Sequence, residues 1–119
     1  MKHGFIRVAA ATPLVTVADC GANLAELRRI RKNAEQDGIH LLVFPELSLT
    51  GYTCSDLFLS GTLLHAASDA LLTYAAETTD SDMISIIGFP FVVNDKLYNC
   101  AAICQKGQIL GVIPKSNIP

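Results

Sequence analysis

Residues 39–44 read Ile-His-Leu-Leu-Val-Phe, a nearly continuous apolar run that stops at Pro45 and is followed by Glu46. Such a run marks a strand covered on both faces, and proline ends it because it cannot donate to a ladder. A second apolar and β-branched run, Phe5 to Ala11, lies upstream and is closed by Thr12-Pro13. Between the two, a helix opens at Asp19 or at Asn23, where Asn23 and Glu26 have capping-box spacing, and closes at Asp37-Gly38. Strand, helix and strand at this spacing imply a right-handed parallel crossover. The inward stripe of the helix is Leu24, Leu27, Ile30 or Arg31, and Ala34. Arg28, Arg29, Arg31 and Lys32 are expected to be solvated, a helix face rather than a binding patch.

A loop rich in Thr, Gly, Ser and Cys runs from Leu47 to Ser55, and a second helix is predicted from Thr62 to Glu77. Its apolar positions are Leu64, Ala67, Leu71 and Tyr74 or Ala75, with His65 on its flank as a surface residue. The last third then turns to β-type runs: Met83 to Val93, Leu97 to Cys104 and Gln108 to Ile113. Asn94-Asp95-Lys96 and Lys106-Gly107 read as the hairpin turns between them. The expected fold class is α/β, a parallel βαβα start running into an antiparallel meander, with a mixed sheet and helices on one face. No internal boundary divides residues 1–119.

Composition narrows the classes of function. Nine Lys plus Arg against eleven Asp plus Glu give a formal charge of −2, so there is no excess of positive charge to neutralise phosphates and nucleic acid is not expected as a partner. The longest apolar stretch, Ile84 to Val93, carries Ser85, Gly88 and Pro90 and falls short of the roughly 20 residues of a membrane span. Arg7, Pro13 and Asp19 spoil an apparent secretion signal at the amino terminus, so a cytoplasmic location is expected. There the cysteines would stay reduced. Cys100 and Cys104 share one face of a strand about 13 Å apart, too far to form a disulfide or hold one metal.

Two residues stand where chemistry gathers. Glu46 emerges at the carboxyl end of a buried strand, the end of an open α/β sheet at which ligands collect. Desolvation by the neighbouring apolar residues would raise its proton affinity and make it a usable general base. Lys115 follows Ile113-Pro114 and precedes Ser116-Asn117-Ile118-Pro119, a stiff setting from which a fixed cation can face an oxyanion. Each taken alone has a plainer reading, a loop-capping glutamate and a solvated loop lysine.

Taken together, Phe44-Pro45-Glu46-Leu47-Ser48-Leu49-Thr50-Gly51-Tyr52 and Ile113-Pro114-Lys115-Ser116-Asn117-Ile118-Pro119 resemble the first two signature segments of the nitrilase superfamily, the carbon-nitrogen hydrolases. The likeness covers the whole chain and includes element order. Thr50-Gly51-Tyr52 followed by Cys54-Ser55-Asp56-Leu57-Phe58 is most similar to the amino-terminal glutaminase domains of the glutamine-dependent NAD synthetases. The resemblance implies an αββα sandwich, of which residues 1–119 are the amino-terminal half. It also implies a Glu-Lys-Cys triad in which Glu46 is the base, Lys115 stabilises the tetrahedral intermediate, and Tyr52 helps to wall the glutamine pocket. Ammonia released from glutamine would then amidate nicotinic acid adenine dinucleotide in a carboxy-terminal synthetase domain that uses ATP and Mg. The implied partners are therefore glutamine, that absent domain and other copies of the chain in a homo-oligomer; no cofactor or metal is assigned to residues 1–119.

One departure from the family pattern bears on activity. The family nucleophile is a cysteine well after the lysine, whereas Cys20 precedes Glu46, Cys54 lies just after it, and Cys100 and Cys104 sit in a strand before Lys115. Residues 1–119 are thus expected to be inactive alone. Two alternatives remain open at the level of sequence: another nitrilase-type amidase acting on a small ω-amide, carbamoyl compound or nitrile, and a noncatalytic α/β interaction module. A flavodoxin-like binding domain is disfavoured, because the connection from Thr12 to Asp19 has no glycine cluster to cradle phosphate.

Overall fold

The computed structural model describes residues 4–51 and 61–115. In chain order the elements are β1 (Val8–Ala10), α1 (Cys20–Gln36), β2 (Leu41–Val43), α2 (Gly61–Glu77), β3 (Ile84–Val93), β4 (Lys96–Gln105) and β5 (Gln108–Pro114). The strands form one sheet in sequential order, with β1, β2 and β3 parallel and β4 and β5 antiparallel. The mixed α/β sheet follows the alternation of patterns along the chain: 3.6-period segments separate the first three strands, and two-residue turns join the last three. Both turns have positive φ at each central residue, Asn94 and Asp95 in the first and Lys106 and Gly107 in the second. That geometry matches the twist of the flanking strands.

One face of the sheet carries the core. Leu42, Ile87, Phe89, Cys100, Ala102 and Cys104 pack with Leu27 of α1 and with Leu63, Ala67, Leu71 and Tyr74 of α2. Cross-strand partners share a face, so the registers Gly88↔Ala101 and Ala101↔Ile113 define the opposite one, together with Leu41, Val43, Ile84, Ile86 and Ile103. Among the described residues no helix covers this second face. Its aliphatic side chains are left half-buried, and Ile113 is 57% exposed.

Several local expectations change. Asp19 is the N-cap of α1 and accepts from Ala22 N at 2.9 Å. Asn23 and Glu26 do not form the capping box: Glu26 accepts from Leu14 N at 2.9 Å, while Asn23 is buried and used elsewhere. Arg31 is not solvated but 4% exposed, with its guanidinium 5.2 Å from the centre of the Tyr74 ring. It is satisfied by Glu77 Oε1 at 3.1 Å and by an ion pair to Glu35 at 3.4 Å, although its Nε makes no hydrogen bond of good geometry. Arg28 also grips Glu77, through Nε at 2.8 Å and Nη2 at 2.6 Å, so a charged clasp joins α1 to α2. In α2 the inward position is Leu63 rather than Leu64. His65 is exposed as expected and pairs with Asp69 at 3.3 Å.

The strand predicted over Phe5 to Ala11 shrinks to Val8–Ala10, since Phe5 and Ile6 are 75% and 59% exposed and have no ladder partners. No described helix is long and apolar enough to cross a membrane.

Candidate functional site

Glu46 is delivered by the end of β2. Phe44 N donates to Ile86 O at 2.9 Å, just past the end of β2, and Pro45 then turns the chain. The segment beyond folds back on itself: Thr50 N and Gly51 N both donate to Leu47 O, at 3.1 and 2.7 Å, with Leu47 in the left-handed region at φ 51°. Leu47, Ser48, Leu49 and Thr50 are all buried, so the loop is anchored while the Glu46 side chain points outward, 48% exposed.

Lys115 is delivered by the far edge of the sheet. Its N–H donates to Asn99 O at 2.9 Å, extending the β4–β5 ladder beyond Pro114. Its Nζ lies 3.4 Å from Glu46 Oε1. The two residues form one rim of an open cleft of about 270 Å³ whose other walls are Asn99, Cys100, Ala101, Ile113 and Pro114. The sheet therefore brings together the two residues singled out in the sequence. Tyr52 and Cys54 lie outside the described residues.

The Glu46 side chain is 48% exposed, a more open setting than its place after a buried strand suggested. The Glu46 carboxylate and the Lys115 ammonium stand 3.4 Å apart. A carboxylate and an ammonium converging on one cleft can share an acyl-transfer reaction, one moving protons and the other facing the oxyanion. A nucleophile of the right character is missing from the described part of the cleft. Cys100 reaches its wall but is 4% exposed, and burial pushes its thiol pKa up. Cys104 is pushed up to about 11 by the same cause. Reactive cysteines need the opposite setting, electropositive and partly open. No group of three or more metal-ligating side chains occurs among the described residues.

Two contributors escaped sequence reasoning. Asn23 reaches the Glu46 loop from α1, donating to Leu49 O at 2.9 Å. Gly88, in the middle of β3, lies directly beneath the Pro45-Glu46-Leu47 backbone. A glycine inside an otherwise apolar strand is a sign of close backbone approach, and that sign was available in the Ile84 to Val93 run.

Comparison with known proteins gives a consistent picture. The carbon-nitrogen hydrolase family model matches residues 6–119. A glutamine-dependent NAD(+) synthetase from Mycobacterium tuberculosis is 41% identical over 118 residues, which are 99% of this chain and 17% of that protein. One from Thermotoga maritima is 35% identical over 114 residues, 96% of this chain and 20% of its own length. Among solved structures, a glutamine-dependent NAD(+) synthetase from Cytophaga hutchinsonii superposes with a TM-score of 0.89 at 28% identity, over 96% of this chain and 19% of that one. An amidase from Nesterenkonia sp. shares the fold, with a TM-score of 0.79 at 19% identity, over 100% of this chain and 46% of that one. The chain thus spans a fifth or less of the length of these three synthetases.

Proposed function

The chain belongs to the carbon-nitrogen hydrolase family, and from that premise we propose that it forms the amino-terminal part of the glutaminase domain of a glutamine-dependent NAD synthetase. The observation that carries the chemistry is the approach of Lys115 Nζ to within 3.4 Å of Glu46 Oε1 at the mouth of one cleft. The choice of branch is supported by the synthetase relatives at 41% and 35% identity.

In this reading, sequence beyond residue 119 supplies a cysteine thiol to the cleft. Glu46 takes the thiol proton, and the sulfur attacks the side-chain amide carbon of glutamine. The carbonyl oxygen becomes an oxyanion facing the Lys115 ammonium. Collapse of the intermediate breaks the C–N bond, and the proton held by Glu46 leaves with ammonia. A glutamyl thioester remains. Glu46 then deprotonates a water that attacks the thioester, releasing glutamate and restoring the thiol. Tyr52 is assigned to the wall of the glutamine pocket. The ammonia amidates nicotinic acid adenine dinucleotide in a carboxy-terminal domain, to which ATP and Mg are assigned; no residue of this chain is assigned to either. The open sheet face fits the domain assignment, since the second sheet and helix layer of an αββα sandwich would cover Leu41, Val43, Ile86 and Ile103. The homo-oligomer implied by the family resemblance belongs to the same proposal.

The test uses the full-length protein supplied with either glutamine or ammonia. Glu46→Gln should abolish glutamine-supported NAD synthesis and leave ammonia-supported synthesis intact. Loss of both together, or of neither, would overturn the reading.

A further inference from the structure

Gly88 shares its sheet face with Ala101 and sits under the turn that presents Glu46. A Cβ at this position would collide with Leu47 N, lie 2.5 Å from Pro45 O and lie 2.8 Å from Glu46 C. All three are backbone atoms of the peptide units around Glu46, so none can swing aside as the end of a side chain does. Gly88 is absent from the residues with positive φ, so its conformation would admit any residue. What requires glycine is space. The Gly88 carbonyl also accepts from Leu49 N at 3.3 Å and from Ser48 Oγ at 3.4 Å, fixing the same turn from below.

The other side of the turn is held by Asn23, which is 1% exposed. Its Nδ2 donates to Leu49 O at 2.9 Å and to Thr16 O at 2.8 Å, while its Oδ1 accepts from Thr16 N at 2.7 Å. Gly88 and Asn23 both meet the backbone of the loop, so their effect on the Glu46–Lys115 distance passes through it.

We infer that Gly88 and Asn23 are positioning residues for Glu46: the bare Cα of Gly88 lets the Pro45-Glu46-Leu47 backbone seat on β3, and Asn23 clamps the same turn to α1. The inference rests on the proposed role of Glu46 as the base. Displacing that turn by about 1 Å is enough to cost on the order of 10²-fold in rate when geometry is productive only at close range.

The experiment measures glutamine hydrolysis and melting temperature for the full-length protein and for Gly88→Ala, Asn23→Ala, Glu46→Gln and, as a control, Gly61→Ala, where an added Cβ meets nothing within 4 Å. Expected are a fall in kcat of at least about tenfold for Gly88→Ala and a smaller fall for Asn23→Ala, each with KM for glutamine nearly unchanged, the split that marks lost transition-state stabilisation. Gly61→Ala should behave as the parent. If Gly88→Ala does not fold, Asn23→Ala carries the test by the same split. Parental kcat in either folded variant, alongside an inactive Glu46→Gln, overturns the seat and leaves the base assignment standing. An active Glu46→Gln overturns the base assignment itself.

Discussion

Lys115 Nζ and Glu46 Oε1 are 3.4 Å apart although 69 residues separate them in the chain. The contact depends on three intervening strand pairings: β2 on β3, β3 on β4 and β4 on β5. The sheet thus works as a ruler between the two groups. The pair itself is exposed, with side chains 42% and 48% accessible, so it adds little to stability. In the proposed reaction its value is chemical.

Removing the ammonium should therefore separate activity from stability. In the full-length protein Lys115→Ala should lower glutamine turnover by about 10²–10³-fold, the cost of losing an oxyanion donor. The melting temperature should scarcely move, because an exposed ion pair is worth about 0–1 kcal/mol. Turnover near the parental rate would remove Lys115 from the oxyanion role.

The clasp between α1 and α2 predicts a pH dependence. The Arg28 guanidinium, then Arg31, holds the Glu77 carboxyl below its ordinary value of 4.5. A carboxyl depressed in the folded state binds protons more readily once unfolded, so its stabilisation is complete above about 4.5 and is lost as pH falls through the folded value. Urea unfolding followed from neutral pH into the acid range should show this decline, and Glu77→Gln should flatten it. Glu77→Ala, which strips the nearly buried Arg31 of one of its two carboxylates, should cost about 2 kcal/mol, below the ~3–5 of a fully buried pair because Glu35 remains. An unchanged acid limb in Glu77→Gln would show that the clasp does not set it.

What was legible in the sequence follows from range. Strand and helix identities came from period, and the hairpin turns from local chemistry, because both are decided within a few residues. Glu46 and Lys115 were legible because each ends a strand and each sits in a family motif. Arg31 was misplaced because four basic residues in a row of five look alike along the chain, and only the Tyr74 ring and Glu77, on another helix, draw one of them inward. Asn23 looks like a local cap in the sequence because its actual partners, Thr16 and Leu49 O, lie 7 and 26 residues away. The exposure of Glu46 could not be read from the apolar run before it, since the turn at Pro45 takes the side chain out of the layer that the run builds.

Tyr74 tests the polar centre of the core. Its hydroxyl donates to Ser85 Oγ at 2.8 Å, and both residues are fully buried. Burial pushes the Tyr74 pKa up, so the hydroxyl stays neutral and remains a donor. Tyr74→Phe leaves Ser85 Oγ without that partner and should cost about 1–3 kcal/mol. Ser85→Ala should cost a similar amount, and the double variant clearly less than the two together. Strict additivity would mean that the hydroxyls do not depend on each other.

The buried thiols give a chemical check on the nucleophile. Burial raises both the Cys100 and the Cys104 pKa, and attack by a thiol requires its thiolate. A thiol-alkylating reagent at neutral pH should inactivate the full-length protein without labelling either residue. Inactivation that tracks modification of Cys100, whose residue borders the cleft, would place the nucleophile within this chain.

The sheet face that no described helix covers gives the last prediction. Leu41, Val43, Ile84, Ile86 and Ile103 line it half-buried, beside an exposed Ile113. A contiguous aliphatic surface of this kind on a separate chain drives self-association. Residues 1–119 alone should bind a hydrophobic dye and sediment as more than a monomer. Ile103→Lys should reduce both, because a charge on an open apolar face restores hydration. In the full-length protein the same substitution should destabilise, since the second layer would bury that ammonium without a partner. The opposite signs of one substitution in two contexts distinguish a covered face from a solvated one. A dye-silent monomer of residues 1–119, together with a full-length Ile103→Lys protein as stable as its parent, would mean that nothing packs there.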